Sequence, residues 1–186
     1  MVALETPICD FGWKAPEFNL IGVDNKYYSF HDIRGPNGTL VMFICNHCPY
    51  VKSVIHRIVE DITILKEKGI GVIAIMSNDV NDPKYGEEDS FDNMKLFSEK
   101  NNFVFPYVYD ETQNVGRKYD AVCTPDFFGF NGNNELQYRG RLEESKMEII
   151  PNAKKELLEA MVQVSETGSG PKDQIPSIGC SIKWKE

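Results

Sequence analysis

The sequence predicts a mixed α/β sandwich, with a parallel sheet core closed by an antiparallel hairpin and covered by helices. Residues 39–44 and 70–76 are short, continuous apolar runs, partly β-branched, the pattern of strands buried on both faces of a sheet. Between them, residues 49–68 space Val51, Val54, Ile55, Ile58, Ile62 and Leu65 at helical intervals. Further on, residues 126–130 and 135–139 flank Asn131-Gly132-Asn133-Asn134, which is hairpin-turn chemistry.

Taken in order, residues 1–16 read as an irregular lead-in ending at Ala15-Pro16. Residues 17–20 and 26–29 flank Gly22-Val23-Asp24-Asn25, so an N-terminal hairpin extension is expected. Ser29 suits the cap of a short helical turn that closes at Gly35-Pro36. After the first buried strand, Pro49 fits the first turn of the long helix and Gly69 its end. Residues 77–89 form a polar loop, and 90–101 a second helix with Phe91, Met94, Leu96 and Phe97 as its apolar contacts. A short strand at 105–109 and a short helix at 112–119 lead to the hairpin. The last helix spans 152–165 and stops at Gly168. Residues 167–186 form a C-terminal tail. Its Ile178, Ile182 and Trp184 are costly to leave in water, so the tail is expected to dock on the body of a single domain covering 1–186.

Hydrophobic residues at 41% and charged residues at 26% are ordinary for a globular chain, and 186 residues can bury a core without disulfide staples. A net charge of −8 speaks against nucleic acid and against an anionic membrane as partners. The opening Met-Val-Ala-Leu-Glu-Thr-Pro lacks the basic and apolar regions of a signal peptide, and no segment reaches the apolar length of a membrane span. A soluble, cytoplasmic protein is expected. The five cysteines, Cys9, Cys45, Cys48, Cys123 and Cys180, are odd in number and widely spaced, unlike a secreted disulfide framework.

Context gives Cys45-Asn46-His47-Cys48 its meaning. Cys45 follows the first buried strand directly, and Cys48 precedes Pro49 and the long helix. Both sulfurs should sit in the first turn, where unpaired backbone N–H groups and the helix dipole favour a thiolate. Cys45 is therefore expected at the exposed edge, with a pKa below the free value of about 8.5, as the attacking thiol. Cys48, one turn deeper, is placed to resolve the mixed disulfide, and His47 to support the thiolate. The alternative is a structural zinc site completed by Cys123 and Cys180. Such sites favour tight turns over strand–helix junctions, and a second CxxC or a CxxH is missing, so no metal or cofactor is expected.

Several segments extend this reading: Ala15-Pro16-Glu17-Phe18, Cys45-Asn46-His47-Cys48-Pro49-Tyr50, Cys123-Thr124-Pro125-Asp126 and Gly179-Cys180-Ser181-Ile182-Lys183-Trp184. On these the chain resembles the peroxiredoxin-like redoxin branch of the thioredoxin-like superfamily over most of its length. The resemblance implies a thioredoxin-like fold, with a central mixed sheet flanked by helices. It implies a cis Pro125 facing the CxxC, with the Thr124 backbone exposed to pair with an extended substrate. It also implies protein or small-molecule disulfides as substrates and a thiol electron donor.

The departures bear on activity. Matching Cys48 to the peroxidatic cysteine of the Pro-x-x-x-Thr-x-x-Cys motif puts Val41 at the Pro position and Cys45 at the Thr position. The arginine falls near Thr124 and Pro125 and is missing too. Arg117, Arg139 and Arg141 read as surface or hairpin charges. Without those donors peroxide cleavage loses its main electrostatic help, so disulfide exchange is favoured over hydroperoxide reduction. A binding module of the same fold, or a redox sensor using the loop at 79–92, are the other readings. Cys123 is expected on the loop facing the CxxC and is, with Cys180, a candidate extra redox thiol. Cys180 is either an extra redox thiol or a small buried residue beside Trp184. Cys9, His31 and His56 read as bystanders.

Overall fold

The computed structural model describes residues 2–185. Its central sheet begins with a hairpin of β2 (Asn19–Gly22) and β3 (Tyr27–Ser29), after a short strand β1 (Ala3–Glu5) that lies elsewhere. Ser29 caps α1 (Phe30–Ile33) through a reciprocal box: its Oγ accepts from Asp32 N at 3.2 Å, and the Asp32 carboxylate accepts from Ser29 N at 2.9 Å. Next come β4 (Gly38–Phe43), α2 (Pro49–Glu67), β5 (Ile70–Met76), α3 (Phe91–Lys100), β6 (Tyr107–Tyr109) and α4 (Asn114–Lys118). The chain finishes with β7 (Cys123–Thr124), β8 (Asp126–Phe130), β9 (Leu136–Tyr138), α5 (Glu156–Thr167) and β10 (Ile178–Ser181). Gly69, at φ +78°, takes the left-handed turn that ends α2 and feeds β5.

Seven strands form the central sheet in the order β3-β2-β6-β5-β4-β8-β9. The β4–β5 and β5–β6 pairs are parallel, while the two flanking hairpins are antiparallel. Alternation along the middle strands divides the core in two. Leu40, Met42, Val72, Ala74 and Met76 meet α2, α3 and α5 on one face. Val41, Phe43, Ile73 and Ile75 meet Tyr119, Phe128 and Phe130 on the other. Two-sided burial explains why these strands read as unbroken apolar runs. Among the described residues no helix is long and apolar enough to cross a membrane.

Some boundaries move for local reasons. The last helix starts at Glu156 and not at 152, because Asn152 sits at φ +58°, outside helical space. The short helix starts at Asn114, since Gln113 is left-handed at φ +61°. The strand expected at 105–109 is reduced to Tyr107–Tyr109, after Pro106, which has no N–H to give a ladder.

The larger difference is a second sheet, β1-β10-β7, all antiparallel. It replaces the irregular lead-in at its start and lays the tail on the body. Ala3 pairs with Cys180, and Cys180 in turn with Thr124. Strands of two to four residues, joined across most of the chain, leave no period in the sequence to detect.

Candidate active site

The site lies where β4 ends and α2 begins. Ile44 N donates to Ile75 O at 3.1 Å, which holds the chain to the sheet until Cys45. Pro49 then opens α2 with Cys48 as its N-cap residue, whose carbonyl accepts from Val51 N and Lys52 N. The two residues between the cysteines are braced from outside. Asp89 Oδ1 accepts the backbone N–H of Asn46 at 2.9 Å and of His47 at 3.1 Å. Its Oδ2 lies 2.6 Å from His47 Nδ1 and accepts from Asn78 Nδ2 at 2.8 Å. A carboxylate accepts, so Nδ1 is the donor in that contact. Asn46 is pinned at both ends of its amide, by Glu88 O and by the Tyr107 hydroxyl. Tyr85 stacks flat on His47, with centroids 4.4 Å apart, and closes the site from the loop at 77–89.

Around the thiols, one residue touches both sulfurs. Thr124 Oγ1 is 3.2 Å from Cys45 Sγ, and Thr124 O is 3.1 Å from Cys48 Sγ. The Thr124–Pro125 peptide is cis. Cys45 Sγ also lies 3.6 Å from His47 Nδ1, and Cys48 Sγ 2.6 Å from Cys180 Sγ. None of the five cysteines is disulfide-bonded.

The electrostatics reverse one expectation. Cys45 is fully buried and not at an exposed edge. Burial, then hydrogen bonding with Cys48 and the negative charge of Asp89, push its thiol well above the ordinary range. For Cys48, burial and the Thr124 carbonyl oppose a charge. Hydrogen bonds from Cys180, Cys45, the Thr124 side chain and Val51 N–H outweigh them and hold that thiol well below the ordinary range. The helix N-terminus thus favours the cysteine that caps it. The contact with Cys48, then burial, pushes the Cys180 thiol up. Burial does the same to Cys123, with the charges of Asp126 and Cys48 adding to it, and its sulfur lies 3.6 Å from Pro125 O.

A second correction concerns Thr124. Its backbone does not present an open edge: Thr124 is buried and paired with Cys180 of β10. Gly179 makes that approach possible, because a Cβ there would stand 2.0 Å from Thr124 O. The chain's own tail fills the place expected for an extended substrate.

Arg139 corrects a third reading, while Arg117 is exposed as expected. Arg139 is buried, 3.1 Å from Asp126 Oδ2, donating to Asp120 O at 2.7 Å and lying over the Phe128 ring. Arg141 is paired with Glu156, and Arg117 lies 4.6 Å over Trp184. All three are engaged away from the thiols. Burial lifts the Asp126 carboxyl to about 6, with Arg139 opposing. His31 and His56 are exposed. Cys9 is half-buried beside Gln174 and Arg139, and burial raises its thiol to about 11.

Asp89, Asn78, Tyr107 and Tyr85 escaped sequence reasoning. Each is an ordinary loop or strand residue, and only tertiary structure brings it to the motif. Among the described residues, Cys45, His47 and Asp89 are also the one group whose possible metal-ligand atoms lie within 4.8 Å of one another. Both Asp89 oxygens already accept two hydrogen bonds each, so the group reads as a brace. Among the described residues, no group of that kind includes Cys48, Cys123 or Cys180.

Residues 11–141 match the AhpC/TSA family, which covers the sheet, the CxxC motif and the Thr124-Pro125 segment. The chain belongs to the AhpC/TSA family. Among solved structures, an uncharacterized conserved protein from Geobacillus kaustophilus is 42% identical. It superposes with a TM-score of 0.92 over 100% of this chain and 97% of its own. The peroxidoxin BcpB of Mycobacterium tuberculosis is 10% identical, with a TM-score of 0.63 over 84% of this chain and 96% of its own. A thioredoxin family thiol:disulfide interchange protein from Chlorobium tepidum is 15% identical, with a TM-score of 0.59 over 83% and 94%. At such identities these two speak for the fold, which is thioredoxin-like. Comparison with curated proteins returns no match. An AhpC/TSA protein with this fold is a redoxin, as the sequence resemblance implied.

Proposed function

We propose that this redoxin is a thiol–disulfide oxidoreductase in which Cys45 attacks the substrate and Cys48 resolves the mixed disulfide. The observation that carries the reading is the position of Thr124 against both sulfurs, at 3.2 Å and 3.1 Å, beside the cis proline. In this reading Cys48, whose thiol is held low by its hydrogen-bond partners, takes the proton of Cys45, whose thiol burial pushes up. Passing it to Cys48 leaves a Cys45 thiolate to which the Thr124 hydroxyl can donate. That thiolate attacks one sulfur of a disulfide, forming a mixed disulfide and expelling a substrate thiolate. Cys48, deprotonated again, attacks Cys45 Sγ and expels the second substrate thiolate. The Cys45–Cys48 disulfide is then reduced by a thiol donor.

Both sulfurs are buried, so in this reading turnover requires a local opening of their cover that leaves the Asp89 brace in place. Substrates in this reading are protein or small-molecule disulfides, and the compartment is the cytoplasm, where thiols are kept reduced. Peroxide is a poor substrate. Cys45 stands where the motif's threonine hydroxyl would be, and Arg139 is committed to Asp126.

The test is turnover of a small disulfide coupled to a thiol donor, in the native chain and in Cys45→Ser and Cys48→Ser. We expect turnover to be lost in both variants, with a stable substrate adduct on Cys48→Ser alone. Undiminished turnover in Cys45→Ser would remove Cys45 from the attacking role. In the same chain, oxidation by hydrogen peroxide should be far slower than oxidation by the disulfide. Comparable rates would overturn the peroxide reading.

A further inference from the structure

A third sulfur stands in the site. Cys48 contacts Cys45 on one side and Cys180 on the other, the latter at 2.6 Å between sulfurs. Contact alone is not chemistry, because a small buried thiol also serves as packing. The placement of β10 separates the two roles. Before Cys180, Ser177 Oγ donates to Pro125 O at 2.7 Å, and Thr6 N to Ser177 O at 2.9 Å. After it, Lys183 N donates to Asn78 Oδ1 at 2.9 Å, and Lys183 O accepts from Asp79 N at 2.8 Å. The strand is held from both sides, and Gly179 lets it approach Thr124 closely enough to lay Cys180 on Cys48. Nothing has to rearrange for these sulfurs to meet.

We propose that Cys180 is a third redox thiol of this site, displacing Cys45 from Cys48 by internal disulfide exchange. The proposal rests on the Cys45–Cys48 reading above. In the step, the Cys180 thiolate attacks Cys48 Sγ. A Cys48–Cys180 bond forms, the Cys45–Cys48 bond breaks, and its electron pair leaves on Cys45. The proton given up by Cys180 ends on Cys45. One disulfide is consumed and one is made, so no further oxidant is needed. The oxidised protein then carries its disulfide between tail and helix, with a reduced Cys45 returned to the Thr124 hydroxyl. The exchange also fastens β10 covalently to α2, over the edge of Thr124.

The experiment uses the full chain, reduced and then oxidised with glutathione disulfide, acid-quenched, alkylated and mapped by mass for linked peptides. We expect both Cys45–Cys48 and Cys48–Cys180 links in the native chain. Cys180→Ser should form only Cys45–Cys48, and Cys45→Ser, which lacks the attacking thiol, should form no Cys48–Cys180 link. A native chain with Cys45–Cys48 alone overturns the role of Cys180 and leaves the two-cysteine reading standing. Absence of Cys45–Cys48 from Cys180→Ser overturns the two-cysteine reading and the exchange step with it.

Discussion

Asp89 spends both carboxylate oxygens on the CxxC loop, taking two backbone N–H groups, the His47 ring and the Asn78 amide. Removing it leaves buried donors unpaired, at about 1–3 kcal/mol for each group. Asp89→Ala should therefore lower Tm by several degrees and slow disulfide turnover, and both are read directly by thermal unfolding and the coupled assay. A variant with native Tm and turnover would show that the loop needs no brace. Asp126 gives a pH signature. Burial lifts its folded pKa to about 6, above the ordinary 3.8, so the folded state holds this proton more tightly than the unfolded chain. That contribution is fully present below about pH 4 and is lost as pH rises through about 6, on the order of 2–3 kcal/mol. Asp126→Asn cannot titrate there, so the gap between native and variant stability should shift in the variant's favour from pH 4 to pH 6.5 in urea unfolding. Parallel curves would contradict it. At this scale the sequence showed the cysteines, Thr124 and Pro125 through their spacing and resemblance. It hid that the two thiols are shifted in opposite directions, because those shifts depend on Cys180 and Asp89, far away in the chain.

Among the elements, the long ones announce themselves. Strands β4 and β5 are buried on both faces, and α2 buries one stripe, so composition and period agree with the fold. The second sheet does not, since its strands are short and their partners are distant. Its consequence is functional: β10 covers the edge of Thr124. Docking depends on buried Ile182 and on Trp184 held under Arg117. Ile182→Ala removes part of a side chain whose full burial stabilises by about 1.5–3 kcal/mol. We expect the tail to loosen, so that Cys48 and Cys180 are alkylated several-fold faster while the urea midpoint falls modestly. Unchanged alkylation would mean that β10 does not shield the site.

For the whole molecule, the thioredoxin-like frame explains why a CxxC, a cis proline and a buried threonine meet at one point. Strand β4 delivers Cys45, α2 presents Cys48, and the turn before β8 returns Thr124 to both. A net charge of −8 speaks against polyanions as partners. The departure from an open redoxin is closure, by the tail on one side and by Tyr85 on the other. The most direct measurement is adduct mapping on Cys48→Ser with a chromogenic aromatic disulfide, because losing the resolving thiol freezes the first step. The account predicts one released aromatic thiolate and one adduct, on Cys45. An adduct confined to half-buried Cys9, with Cys45 untouched in folded protein, would contradict it.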